Sequence, residues 1–300
     1  SANNNLNTNK LTGYLSNQWN LVRKNNDEVS FTVGLRANYW DFNNEFLLAP
    51  RANFSYKPAK NPNLVFRFAT GIYYQTPFYR EMRNVDGTIN HNIKSQKSTH
   101  FIAGSDLRFR SWNRPFIFTT EVYYKILDNL IPYYVDNVRI RYLSDQLAKG
   151  YATGIDFKIY GEFVKGVDSW MSLSLMQSKE DIYDDFYYDY YNADGDKIIS
   201  GITIDTEVAD SVRVEPGYIP RPTDQRVNFS IFFQDYIPGH PYLKIHLRLL
   251  FNTGLPFGAP DTERYEHTLR MPDYRRVDIG FSYQFINEGS TFGSGNPLKH

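Results

Sequence analysis

Phe31-Thr32-Val33-Gly34-Leu35-Arg36-Ala37-Asn38-Tyr39 alternates without a break: the odd positions are apolar or aromatic, and the even ones carry Arg36 and Asn38. A period of two sends successive side chains to opposite sides of a sheet, so the stretch reads as a strand with one greasy face and one wet face. The same split recurs far downstream. Val227, Phe229, Ile231 and Phe233 alternate with Asn228, Ser230 and Gln234. Ile245, Leu247, Leu249 and Phe251 alternate with Lys244, His246, Arg248 and Asn252, and Val277, Ile279, Phe281 and Tyr283 with Arg276, Asp278 and Ser282.

Working outward from these stretches, the pattern predicts about eleven strands, at residues 11–22, 29–41, 46–57, 64–75, 98–110, 116–131, 150–162, 169–181, 224–237, 242–255 and 274–286. Soluble strands cluster near ~5 to 6 residues, whereas a tilted strand crossing a bilayer needs ~9 to 11. The links sort by length. Those at 58–63, 111–115, 163–168 and 238–241 are short and rich in Pro, Gly, Asn and Asp, while those at 76–97, 132–149, 182–223 and 256–273 are long. Short turns on one side and long loops on the other are the habit of outer-membrane barrels. The short link at 41–45 is the one irregularity. The predicted fold class is all-β: a transmembrane antiparallel up-and-down β-barrel, with residues 1–300 as one body.

Composition agrees. Mean hydropathy is −0.52, and no apolar run approaches the ~18 residues of a membrane helix. A barrel tolerates this polarity, because only alternate strand residues face lipid. With 24 Tyr and 22 Phe the chain is 17% aromatic, as aromatic girdles at two membrane interfaces require. Cysteine is absent, which removes disulfides and thiolate chemistry. Lys plus Arg and Asp plus Glu balance at 33 each, so no global field favours nucleic acid. Residues 1–9 are polar and contain no signal-peptide core, so an export signal is expected outside this stretch.

Gly34-Leu35-Arg36, Pro50-Arg51-Ala52, Arg67-Phe68-Ala69-Thr70-Gly71-Ile72-Tyr73-Tyr74-Gln75 leading to Pro77-Phe78-Tyr79-Arg80-Glu81, Lys149-Gly150-Tyr151-Ala152-Thr153-Gly154, Asp224-Gln225-Arg226 and Arg275-Arg276-Val277-Asp278 follow one another in this order. In order and spacing they resemble the barrel of TonB-dependent outer-membrane receptors, particularly those of Bacteroidetes-type bacteria. The resemblance implies a parent barrel of about 22 strands with a plugged lumen, in the outer membrane of a Gram-negative bacterium. It further implies TonB-coupled uptake of a scarce nutrient such as a siderophore, cobalamin, glycan or peptide. The partners it implies are outer-membrane lipid, a plug domain and the TonB complex, with a surface lipoprotein as a further one. On this reading the plug precedes the segment and a final hairpin follows it. The chain is then expected to be an open partial barrel of about 11 to 12 strands, with Pro297-Leu298-Lys299-His300 opening a further strand.

Little in the chain suggests chemistry. His91, His100, His240, His246, His267 and His300 are scattered without metal-ligand spacing, and no nucleophile elbow, phosphate loop or dinucleotide fingerprint occurs. No enzyme activity, cofactor or metal is expected. Arg36, Arg51, Arg67, Arg108, Lys125, Lys158, Arg226, Arg248 and Arg276 fall on the inward parity. The simpler reading is that they neutralise Asp106, Glu121, Asp156 and Asp278 and touch a plug; the sharper one is an anion-selective path. The most unusual loop segment holds Tyr187, Tyr188, Tyr190 and Tyr191. Aromatic faces at a wet surface bind sugars, planar ligands or cations, so these four are the candidate ligand or partner contacts, against the plainer reading of loop packing. Asn192-Ala193-Asp194-Gly195-Asp196 after them looks like part of a calcium loop, but Asp-Gly is also a hairpin turn. A passive porin and a soluble carbohydrate-binding β-protein are the alternatives. Strand length and the alternation of links argue against the second.

Overall fold

The computed structural model describes residues 7–22, 26–84, 87–136, 139–259 and 262–285. Eleven long strands form the wall: β1 (Lys10–Val22), β2 (Glu28–Trp40), β3 (Glu45–Lys57), β4 (Leu64–Gln75), β5 (Gln96–Ser111), β6 (Arg114–Leu130), β7 (Ala148–Val164), β8 (Val167–Ile182), β9 (Val227–Ile237), β10 (His240–Asn252) and β11 (Tyr274–Tyr283). They lie in one antiparallel sheet in sequence order, β1 to β11, and a twelfth short strand, Ile219–Pro220, pairs with β8. Among the described residues the sheet is open: β1 and β11 do not pair with each other. All eleven predicted strands are present, ten of them with ends shifted by one to three residues. The strand expected from residue 224 begins at Val227, and the one expected to reach 255 ends at Asn252. Residues 297–300, expected to open another strand, lie outside the described residues, as does Ile286.

Tight turns set the register at the short-link end. Trp112 and Asn113 turn between paired Ser111 and Arg114 with φ of 51° and 61°, the left-handed conformation that two-residue hairpins use. Gly166 (φ 79°) and Gly239 (φ 81°) do the same between β7 and β8 and between β9 and β10. From these turns parity carries across every seam. Leu15 faces Leu35, which faces Pro50; Phe54 faces Phe68, which faces Ala103. Val122 faces Ile155, which faces Leu175, and Met171 faces Ile231, which faces Leu249 and then Val277.

The result is one mainly apolar face and one mainly polar face running through eleven strands. The apolar face is uncovered: Leu35 is 46% exposed, Phe68 45%, Val122 49% and Val277 61%. A soluble sheet would bury such a face against a second layer. Charges on this parity fall near the strand ends, where Lys97 pairs with Asp128 at 3.3 Å and Lys149 with Asp181 at 3.2 Å. Aromatic rings mark both margins. Near the short turns Trp19 stacks on Phe31, Tyr56 on Phe66 and Phe109 on Phe116; near the long links Tyr124 stacks on Tyr151.

Buried side chains collect instead at the long-link end. Trp40, Met82, Ile93 and Ile131 form one cluster, and Leu127, Leu130, Ala148, Ile182 and Ile219 form another. The long links contain short hairpins: Tyr133–Asp136 with Arg139–Tyr142, Tyr187–Tyr191 with Asp210–Val214, and Pro256–Phe257 with Leu269–Arg270. They also hold one another. Asn90 donates to the Ser144 carbonyl at 2.7 Å, and the Ser144 hydroxyl donates back to Asn84 Oδ1 at 2.7 Å.

Candidate functional site

The long-link end holds the segment with the densest aromatic content. Within link 183–226, Tyr187–Tyr191 pairs with Asp210–Val214, so its period of two separates the four candidate tyrosines. Tyr188 and Tyr190 are exposed, whereas Tyr187 and Tyr191 are half-buried on the other side. Phe186 joins the exposed side. Its ring lies 5.7 Å from Tyr188, edge to face, and Tyr188 lies 6.5 Å from Tyr190. The Arg213 guanidinium caps the row, 4.2 Å from the Phe186 centroid. Tyr187 instead joins the hairpin to its neighbour, stacking on Tyr265 of link 253–273 at 5.0 Å and 16°. The four are therefore not one constellation, and Phe186 and Arg213 belong with the exposed pair.

The residues after the hairpin strand form a turn. The Asn192 side chain, buried, accepts from the Asp196 amide at 2.8 Å, and Gly195 supplies a φ of 84°. Asp189 on the half-buried side pairs with Lys197 at 2.7 Å, which raises the lysine above its ordinary value through that hydrogen bond. Among the described residues no group of three or more His, Asp or Glu side chains is placed to hold a metal ion.

Two buried carboxylates anchor the loops beneath the hairpin. Glu180, on the polar parity of β8, is fully buried and accepts from Arg264 at 2.6 Å and Arg221 at 3.2 Å. Asp224, also fully buried, accepts from the Ser178 amide at 2.6 Å, from Arg226 at 2.9 Å and from Arg270. The wall and both large links are thereby tied at two points. Neither anchor is legible in the sequence as such, though Asp224-Gln225-Arg226 is among the stretches that carry the family resemblance. Arg226, expected on the inner wall, precedes β9 and serves this anchor. His267 lies beside Arg264 of the Glu180 anchor, edge-on to Tyr134 at 5.6 Å; burial lowers its pKa, the Thr262 carbonyl opposes that, and Arg264 reinforces it.

The family description "TonB dependent receptor-like, beta-barrel" matches residues 1–296. The chain belongs to the TonB-dependent receptor β-barrel family. It is a non-enzymatic transporter of the Gram-negative outer membrane, and its family implies a plug domain and coupling to TonB. No curated protein matches the chain. In a receptor barrel the uncovered apolar face meets lipid and the polar face lines the lumen.

On the lumenal face of the receptor, register brings the charged residues into two groups. Arg67 donates to Asp106 at 3.0 Å, and Arg276 to Asp278 at 2.8 Å, as charge neutralisation requires. Glu121 and Asp156 behave otherwise: they face each other across β6 and β7, a like-charge pairing that the wall alone does not favour. Lys125 lies instead 5.0 Å from the Tyr123 ring, and Lys158 5.8 Å from that of Trp170.

Proposed function

We infer that this receptor takes up a scarce nutrient with TonB-delivered energy, and that the outer side of the 187–191 hairpin is a contact for that cargo. The observation that carries the reading is the row Phe186, Tyr188 and Tyr190, exposed together while the opposite side of the hairpin is occupied by Tyr265. Three rings in a row present flat apolar faces, those of Tyr188 and Tyr190 with hydroxyl tips, a surface suited to sugar rings or planar chelates. Glycans and aromatic siderophores fit that surface better than small inorganic ions. Tyr187 and Tyr191 enter the proposal as supports of the exposed pair. The open sheet with two free edges further supports an architecture in which the segment forms about half of a wall of about 22 strands, closed around a plug. Delivery by a surface lipoprotein is compatible with the same loops, and the motif series supports a Bacteroidetes-type origin.

The test uses cells carrying the full-length receptor. Uptake of candidate nutrients is followed in wild type, in Tyr188→Ser/Tyr190→Ser and after dissipation of the proton-motive force. Active transport predicts that uptake collapses when energy is withdrawn; persistence at the wild-type rate would point to the passive-porin alternative. Unchanged uptake in the double variant would reduce the hairpin to loop packing.

A further inference from the structure

Near the long-link end of the polar face, Lys10, Arg36 and Arg51 border a cavity of about 300 Å³ together with Trp40, Asn38 and Thr76. Register explains the convergence. Arg36 lies opposite Ala49 and Arg51 opposite Gly34, so the two guanidinium stems are diagonal neighbours on one face. On the next strand Gly71 faces Arg51, and a Cβ there would come within 2.9 Å of the Arg51 Cγ. Glycine at that point leaves room for Arg51 to lie 4.2 Å over the Tyr73 ring.

None of the residues bordering the cavity is Asp or Glu. Among the described residues, none of the three cations takes part in an ion pair, although Arg67 and Arg276 on the same face do. Two buried donors here also lack an acceptor among the described residues: Nε of Arg51 and Nε1 of Trp40, a residue only 1% exposed. A buried donor left unmade is costly. Both donors belong to residues that border one acid-free, cationic cavity, whose positive charge an anion would balance.

We propose that this cradle is a carboxylate-binding site on the lumenal wall. One carboxylate accepts from Arg51 and Arg36, whose planar forks suit its two oxygens, while Lys10 adds a third positive charge. Its carrier is an acidic side chain of the plug domain or a free carboxylate-bearing solute, two sources of the same chemistry. The site rests on the polar face being lumenal, which the behaviour of Leu35→Arg reports independently.

The experiment is cryo-electron microscopy of the full-length receptor with and without citrate, joined to citrate-binding calorimetry on wild type, Arg51→Gln, Arg36→Gln and Arg67→Gln. Heat-modifiable migration verifies that each variant has inserted. If the plug is the source, one of its Asp or Glu carboxylates lies within hydrogen-bonding distance of the Arg51 or Trp40 donors, and Arg51→Gln makes the plug more susceptible to protease. If a solute is the source, citrate occupies the open cradle, and Arg51→Gln and Arg36→Gln each weaken it by about tenfold or more, whereas Arg67→Gln does not. A cradle filled only by water or hydrocarbon, with no citrate bound, overturns the proposal. So does citrate binding that survives Arg51→Gln and Arg36→Gln unchanged.

Discussion

Glu180 and Arg264, 84 positions apart in the chain, meet at 2.6 Å with side chains only 1% and 4% exposed. Removing one partner of such a buried pair leaves the other charged and unpaired, at a cost of about 3–5 kcal/mol. Glu180→Ala should therefore loosen link 253–273 while the wall stays inserted. Hydrogen exchange on the full-length receptor would register faster exchange at residues 262–271 with unchanged protection in β9 and β10. A double change, Glu180→Leu with Arg264→Met, should restore much of the protection, because no charge is then stranded.

The hairpin offers a contrast between rings of one type. Tyr188→Ser and Tyr190→Ser remove exposed rings and should lower uptake with loop stability nearly unchanged. Tyr187→Ser breaks the stack on Tyr265 and should destabilise the contact between the two links by roughly 0.5–1.5 kcal/mol beyond lost area. Deleting residues 184–192 would confound the two effects. Protease sensitivity of the links, compared with initial uptake rates, separates them.

Why the wall is legible in the sequence and its loops are not follows from these residues. In β2 from Val29 to Tyr39 each apolar position is separated from the next by a polar or small one, so chemistry reports the face directly. In Tyr187–Tyr191 the order Tyr-Tyr-Asp-Tyr-Tyr reads the same in both directions, so hydrophobicity does not say which rings point outward. Glu180 carries the correct parity for an inner wall, yet its arginine partners come from links 41 and 84 positions away, and no local pattern announces them. Asp224 looks like the start of a strand because the alternation continues through it; its carboxylate is instead consumed by Ser178, Arg226 and Arg270.

The two faces of the wall should differ sharply in tolerance. Arg placed near mid-bilayer on a lipid-facing site costs about 2–4 kcal/mol, so Leu35→Arg and Ile231→Arg should impair assembly far more than Asn38→Arg or Ser230→Arg. The yield of heat-modifiable, folded barrel in isolated outer membranes measures this. Equal yields from both faces would contradict the assignment.

Acidification should loosen the cap around His267. Its pKa in the folded loop lies below the ordinary 6.5, chiefly through burial, so the folded state holds the neutral ring and the opened state takes up a proton first. Stability is therefore undiminished above about pH 6.5, declines as pH falls from there towards the lowered folded value, and levels off below it. Arg264, Glu263 and Glu266 are the charged groups that act on the ring. Proteolysis of link 253–273 as a function of pH should show this decline in wild type and a flatter profile in His267→Gln.

Residues 1–300 in isolation should not conduct through a defined pore. Among the described residues β1 and β11 each present an unpaired edge, and closure is what lets a sheet span lipid. Planar-bilayer recordings should give irregular leak or none; uniform single-channel steps would mean that the two edges find each other.

Among the described residues, breaks in strand register occur only at Leu127/Leu130, Val167/Ser169 and Tyr236/Ile237, all beside a strand end. Between those points one inserted or deleted residue would exchange the lipid and lumen faces for the remainder of its strand, whereas a residue added to link 183–226 alters loop-closure entropy only slightly. Changes of length are thus confined to the rims. The receptor can acquire a new mouth by gaining or losing residues there, while its staves can be revised only by replacing one side chain with another.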